Sequence, residues 1–360
     1  MAKERIFNLP ETKGQFELRG IVNGTEKDNF FKSGKSKNQK EYRKVNFGIE
    51  YEKDKNWYIE LNGMPQEKVY FSKPSEKKGE KGVTKAVEWA DRFTFDDSVW
   101  SLIGKQIGIR KVERDGKQVN DTKRFTDFDA CKHINENLED EMSVYVRGTI
   151  DYSHYQDDKG NTRRKEAFIL DRMYLASNDI DLEAENYEST HGFNQRIVFV
   201  GIEQEKENEK PTGRAVAQAK IIKYSSIEDA EFIIEDKALA QLFKKNLKPY
   251  TAIDVWGYLV ATQLVEEVTT EDAWGSANTM KKVGNPYKRE LIITGADPKS
   301  IDKEVYSKDK IDEALAAIER AKNAQDDFGN SSKNEWGSPM STNLVSPDDG
   351  ADEVDWDDWD

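Results

Sequence analysis

The side chains in this 360-residue chain that could do chemistry are cations and flat rings, placed close together more than once. The densest stretch is KSGKSKNQKEYRK, residues 32–44, where Lys32, Lys35, Lys37, Lys40, Arg43 and Lys44 accompany Tyr42 against one acid. The mixture returns at Trp57 and Tyr58. It returns again at Tyr152 and Tyr155 with Arg163, Arg164 and Lys165, and at Tyr287, Lys288 and Arg289. Cations follow a phosphate backbone and rings stack on bases, at about 1–3 kcal/mol per base. Such a combination suits a single-stranded nucleic acid, the competing reading of 32–44 being a solvated hairpin tip.

Enzyme signatures fail on inspection. The GKS at 34–36 has Asn29 where a phosphate-binding loop needs its first glycine, and neither G-x-S-x-G nor H-E-x-x-H occurs. Cys131 and His133 lie two apart on a predicted helix and so face different ways; Cys131 reads as a core residue. One cysteine and three histidines exclude a disulfide framework and a structural zinc cluster. No cofactor, no metal and no catalytic residue is expected.

Charge divides the chain. Residues 1–125 carry 27 Lys and Arg against 20 Asp and Glu, whereas residues 326–360 hold eleven acids and one base, Lys333, within a net −14. That asymmetry predicts contact with a polyanion at one end. The last thirteen residues, DDGADEVDWDDWD, carry eight carboxylates and two tryptophans that nothing in the segment could bury. A segment of this composition is expected to be disordered, and to present Asp355, Trp356, Asp357, Asp358, Trp359 and Asp360 to partners. The opening MAKERIFNLPETKG lacks a hydrophobic core and no run approaches a membrane span, so a cytoplasmic protein is expected.

The elements that must position these groups are legible from an internal repeat. FDACKHINENLEDEMSVYVRGTIDYS, residues 128–153, and KALAQLFKKNLKPYTAIDVWGYLVAT, residues 237–262, align at an offset of 109. In both, an amphipathic helical stretch ends at leucine (Leu138, Leu247), and a strand places glycine ten residues later (Gly148, Gly257). Val144, Val146 and Ile150 match Ile253, Val255 and Leu259 in phase, which sends Tyr145, Arg147, Trp256 and Tyr258 outward. An exposed Trp256 and Tyr258 would form a stacking platform or cover an interface between domains. A further pairing sets QFELRGIV, 15–22, beside QRIVFVGIE, 195–203. The first copy carries about 72 additional residues, among them Trp57, Trp89 and Trp100.

Strand, strand, strand, helix, strand, strand, with glycine where the first and fourth strands curl, is the element order of the OB-fold, a Greek-key barrel. The fold class is therefore mainly β, as two tandem OB-fold domains with a disordered acidic C-terminal tail. The divisions are 1–177 for the first domain with its insertion, 178–194 for a linker, 195–298 for the second domain, 299–325 for a short helix and 326–360 for the tail.

The segment Ala130–Leu170, with its V-x-V-x-G-x-I strand and the hairpin and strand that follow, resembles the second half of bacterial single-stranded DNA-binding proteins. Residues 237–295 resemble that half more loosely, so the likeness covers roughly half the chain. It implies sequence-tolerant single-stranded DNA binding for replication, recombination and repair, with a tail that recruits partner enzymes and competes for the DNA groove. Two domains per chain and a tip reading WDDWD look more like a protein of a bacteriophage, located in the host cytoplasm. RNA stays open as the ligand, because stacking does not report a 2′-hydroxyl. The alternative is an OB-fold protein-interaction module, or a DNA mimic that binds a basic protein.

Overall fold

Strand phase and two short amphipathic helices build the architecture of this computed structural model, which describes residues 5–328 except 37, 76–81, 96–98, 157–159, 208, 264–265, 271–277 and 283–286. The chain divides into two compact units. One holds Phe16–Thr149 and Ala167–His191, and the other holds the first fifteen residues, Ile150–Glu166 and the chain from Gly192 onward.

In the first barrel, β1 (Gly14–Asn23), β2 (Phe31–Lys35), β3 (Glu41–Glu52) and β4 (Lys55–Gly63) precede the insertion, and α1 (Asp127–Asn137), β12 (Ser143–Gln156) and β13 (Thr162–Leu175) follow it, the stretch Ile150–Glu166 of β12 and β13 being grouped with the other unit. β1 pairs with β3, β3 with β4, β4 in parallel with β13, and β12 with both β13 and β1, which closes a barrel. That is the pairing order of an OB-fold. Its interior is filled by alternate residues, among them Phe16, Leu18, Val45, Phe47, Ile49, Ile59 and Leu61, all at 2 % exposure or less. Helix α1 closes one end with Phe128, Cys131 and Ile134. Its start is set by Thr126, whose hydroxyl accepts from the Asp129 amide at 3.2 Å.

Almost all the extra length of the first copy lies between β4 and α1. β5 (Lys68–Lys73), β6 (Val83–Glu88) and β7 (Ser101–Leu102) form a small sheet over Val69, Phe71 and Val87, with Trp89, Phe95 and Trp100 against it. β8 (Lys105–Gly108) joins the barrel sheet in parallel beside β13, β9 (Lys111–Arg114) and β10 (Lys117–Asn120) form a hairpin, and β11 (Lys123–Phe125) pairs with β8.

The second unit repeats the barrel with β14 (Thr190–Glu207), β15 (Lys210–Ile222), β16 (Ile227–Ile234), α2 (Lys237–Asn246), β17 (Thr251–Gln263) and β20 (Tyr287–Asp302). β14 pairs with β15 and β17, β15 with β16, β16 in parallel with β20, and β20 with β17. Between β17 and β20 stands a ribbon of β18 (Glu266–Thr270) and β19 (Asn278–Lys282). Only two residues separate β16 from α2, so this copy has no counterpart of the insertion.

The glycines at the repeat offset have a steric reason. A Cβ on Gly148 would stand 1.9 Å from the Ile169 carbonyl oxygen, and one on Gly257 would stand 1.7 Å from that of Ile292. At each point the fourth strand crosses the fifth too closely for any side chain.

Two boundaries and one stretch of core differ from expectation. β14 begins at Thr190, inside the segment read as a linker, and pairs with β17 from Gly192 onward. The short helix expected within 299–325 is α3, Lys308–Phe328, so the expected tail overlaps it by three residues and otherwise lies outside the described residues. Phe7 and Leu9, which sequence periodicity did not single out, are buried with Val198, Ile222, Tyr306, Ile311 and Ile318. Among the described residues no helix is long and apolar enough to cross a membrane.

Candidate nucleic-acid interface

The register of β2 on β3 decides where the basic stretch points. Lys32 lies opposite Lys44 and Gly34 opposite Tyr42, on the side that continues into outward Asn46, opposite Glu60, and Gly48, opposite Tyr58. Lys32, Tyr42, Lys44 and Tyr58 thus share one outward strip of the first barrel. Tyr58 is 38 % exposed, and Gly48 opposite it is covered by the Asn23 side chain, whose Oδ1 would stand 2.2 Å from a Cβ there. Lys32, Lys35 and Lys40 are exposed and have no ion pair among the described residues. Lys44 is held by Glu60 at 2.8 Å. Lys37 lies outside the described residues.

Arg43 points the other way. Its guanidinium lies 3.7 Å from the centre of the Phe128 ring and donates to the Phe128 carbonyl at 3.3 Å, which fastens β3 to α1. Arg92 grips Asp129 at the same helix with two bonds of 2.8 and 3.2 Å. Arg43 is a structural cation more than a groove residue.

Two candidates need correction. Trp57 is 1 % exposed and packs edge-on against Phe168 at 4.9 Å, because the alternation Trp57, Ile59, Leu61 is the inward phase of β4. Tyr152 is 2 % exposed for the same reason: Val144, Val146 and Ile150 point in, so Tyr152 does too. Burial, with Glu166 nearby, raises its hydroxyl well above the ordinary tyrosine range. Neither ring can stack on a ligand without unfolding its barrel.

Tyr145 and Arg147 point outward as strand phase requires. The Tyr145 hydroxyl donates to Glu17 at 2.7 Å, and Arg147 stands 4.0 Å from the same carboxylate. Partial burial, then the Glu17 bond, push the phenol up to about 12. At the outer end of the β12–β13 hairpin Tyr155 is half exposed, and Arg163, Arg164 and Lys165 are exposed. Arg164 is ion-paired with Glu231, and His154 Nδ1 lies 2.5 Å from Glu228, so part of this hairpin's charge is spent on its own unit.

In the second barrel Trp256 and Tyr258 stand on β17 at 47 % and 50 % exposure. The indole lies over Gly295, where a Cβ would come within 2.5 Å of the ring. Three cations of this barrel are occupied. Arg214 bridges Glu205 at 2.7 Å and Glu290 at 3.0 Å, Lys288 reaches Glu290 at 2.9 Å, and Arg196 reaches Asp254 at 3.0 Å. The hydrogen bond from Arg214 holds the Glu205 carboxyl down to about 2. Arg289 is exposed; the Tyr287 side chain and the tail residues from Asp355 to Asp360 lie outside the described residues.

Sequence reasoning passed over one basic feature. Arg124 on β11, Gln106 on β8 and Arg172 on β13 fall in one row across three adjacent strands, extending the outward face of the first barrel. Its signal was the recurrence of Lys and Arg between residues 105 and 124, hidden because β8 and β11 are too short to show alternation. Cys131 is fully buried, and burial pushes its thiol up to about 12, which leaves it inert.

No curated protein matches the chain. The fold overlaps solved structures of the single-stranded DNA binding protein from Thermus aquaticus. The wild-type structure has 9 % identity and a TM-score of 0.37, covering 80 % of this chain and 93 % of that one. A deletion mutant of the same protein has 9 % identity and a TM-score of 0.37, covering 80 % and 94 %. Residues 13–331, which contain every strand of both barrels, match the YorF family model, and the chain belongs to the YorF family.

Proposed function

We propose that this protein is a sequence-tolerant single-stranded DNA binder that serves replication, recombination and repair of a phage-type replicon. The observation that carries the reading is the strip of the first barrel. There exposed Tyr58 shares one face with Lys32, Tyr42 and Lys44, beside Lys35 and Lys40, which are exposed and have no ion pair among the described residues. A backbone of phosphates follows the lysines while bases stack on the rings, and neither interaction depends on sequence. The second barrel contributes the Trp256 and Tyr258 platform. The acidic tail competes for the lysines when DNA is absent and recruits partner proteins when displaced.

The test is a titration of the full chain with oligo-dT and with duplex DNA at two salt concentrations, read by tryptophan fluorescence and anisotropy. Tight oligo-dT binding that weakens steeply with salt supports the reading. The triple change Lys32→Glu, Lys35→Glu, Lys40→Glu should flatten the salt slope by about two, at roughly 0.7 per lost single-strand phosphate contact. Deleting residues 326–360 should tighten binding at low salt. Oligo-dT affinity that is absent at low salt, or indifferent to the triple change, would remove the core claim.

A further inference from the structure

At the end of the first barrel's strip, β4 runs into an open cleft of about 400 Å³ lined by Asn62, Gln66, Tyr70, Trp89, Ile103 and Asp127 among others. Its volume is in the range of small-molecule sites. Asn62 is the outward residue of β4 next after Glu60 and lies opposite Lys44, so the cleft opens about 13 Å along the strand from Tyr58. Any strand that stacks on Tyr58 and follows Lys44 is thereby led to its mouth.

The walls are fixed. Trp89 is tied by its amide to the Glu67 carbonyl at 2.9 Å, lies under the Arg92 guanidinium at 4.0 Å and meets Phe128 edge-on at 6.0 Å. Tyr70 and Ile103, also in the lining, are each 51 % exposed and are joined by the bond from the Ile103 amide to the Tyr70 carbonyl at 2.7 Å. Two flat rings and an aliphatic side chain suit a planar heterocycle. Asn62 and Gln66 are exposed, and their amides have no hydrogen bond among the described residues.

Charge decides which part of a nucleotide enters. The first turn of α1 at the cleft has its Asp129 amide taken by Thr126, and Asp127 adds a carboxylate. Lys105, 4.0 Å from Asp127, is engaged at 2.7 Å by Asp171, so Asp127 is only partly neutralised. A phosphate is repelled here. An ionised carboxylate accepts hydrogen bonds only; cytosine, adenine and guanine offer it an exocyclic amine, whereas the one donor of an unpaired thymine, its ring N3–H, stands between two carbonyl oxygens that the carboxylate repels.

We infer that this cleft takes one unpaired, amine-bearing nucleobase of the bound strand, held between Tyr70 and Trp89 with its amine on Asp127, and gives the protein a preference against thymine at that step. The inference rests on the single-strand reading above and adds a base-recognising subsite to it.

The test compares oligo-dC and oligo-dT on the full chain in wild type, Asp127→Asn, Tyr70→Ala and Trp89→Phe, with circular dichroism to confirm folding. Oligo-dC should bind about tenfold more tightly than oligo-dT, the worth of one hydrogen bond to a charged group. Asp127→Asn should bring the oligo-dC and oligo-dT affinities together. Tyr70→Ala should weaken oligo-dC at least fivefold, and Trp89→Phe should remove much of the oligo-dC quenching. Equal wild-type affinities, or a preference that survives Asp127→Asn, would overturn the inference while leaving oligo-dT binding intact. Loss of binding to both oligomers in wild type would instead sink the single-strand reading itself. Saturable quenching by dCMP alone, at the concentrations of strand that suffice for oligo-dC, would overturn the strand-borne occupant in favour of a free nucleotide.

Discussion

The two barrels share one topology and use their outward charges in opposite ways. In the first, Lys32, Lys35 and Lys40 are left to solvent beside Tyr58. In the second, Arg214, Lys288 and Arg196 are each closed against carboxylates, while the rings Trp256 and Tyr258 stay out. Repeat-equivalent positions make the contrast sharper: Tyr145 and Arg147 on β12 correspond to Asp254 and Trp256 on β17. The frame depends on inward residues and crossing glycines, which the copies keep. What each face can bind depends on outward residues, which the copies do not share.

The largest effect that can break this comparison tests the shared frame. Gly148→Val and Gly257→Val each drive a side chain into a backbone carbonyl, and each should cost roughly 3 kcal/mol or more. Denaturant unfolding followed by circular dichroism would measure it. A large loss from one and none from the other would show that the crossings are not equivalent.

The next effect tests how the charges are used. Arg214→Met leaves Glu205 and Glu290 facing one another and should cost about 2 kcal/mol at neutral pH. Lys44→Met, which breaks one half-exposed pair, should cost under about 0.5 kcal/mol. The pH dependence has a definite sign. Glu205 titrates lower in the folded chain, at about 2, than its ordinary 4.5. Its contribution is therefore fully present above about 4.5 and is lost as pH falls from there toward 2. Arg214→Met should flatten that acid limb; an unchanged limb would show that the pair does not support the barrel.

The smallest effect separates the two platforms by their surroundings. Tyr58→Ala and Trp256→Ala should each weaken oligo-dT binding by about 1–2 kcal/mol with no change in salt slope, since stacking releases no counterions. Adding the triple lysine change should depress binding further in the Tyr58 variant and alter its salt slope. If Trp256→Ala has no effect on binding, the second barrel's rings serve something other than bases.

Much of this was legible in the chain because spacing carries it. Ten residues from Leu138 to Gly148, and from Leu247 to Gly257, mark the helix end and the strand crossing in both copies. Strand phase sent Tyr145, Arg147, Trp256 and Tyr258 outward. The same rule, applied to Trp57-x-Ile59-x-Leu61 and to Tyr152, predicts burial; treating those rings as a cluster with nearby cations obscured it. The cleft was not legible, since its walls come from residues near 62, 70, 89, 103 and 127 and meet only after the insertion has folded. Nor was the Arg214 bridge, whose partners Glu205 and Glu290 are separated by 85 positions.

Phe7 and Leu9 share a core with Tyr306, Ile311 and Ile318, so the second unit is sealed by two segments some 300 positions apart. Contacts across some 300 positions carry a heavy loop-closure cost and form late. On the ribosome the first barrel can close as soon as β13 emerges. The second must wait for α3, and Phe7 and Leu9 stay exposed until it emerges. A nascent chain halted before residue 306 should therefore be the most aggregation-prone state this protein passes through.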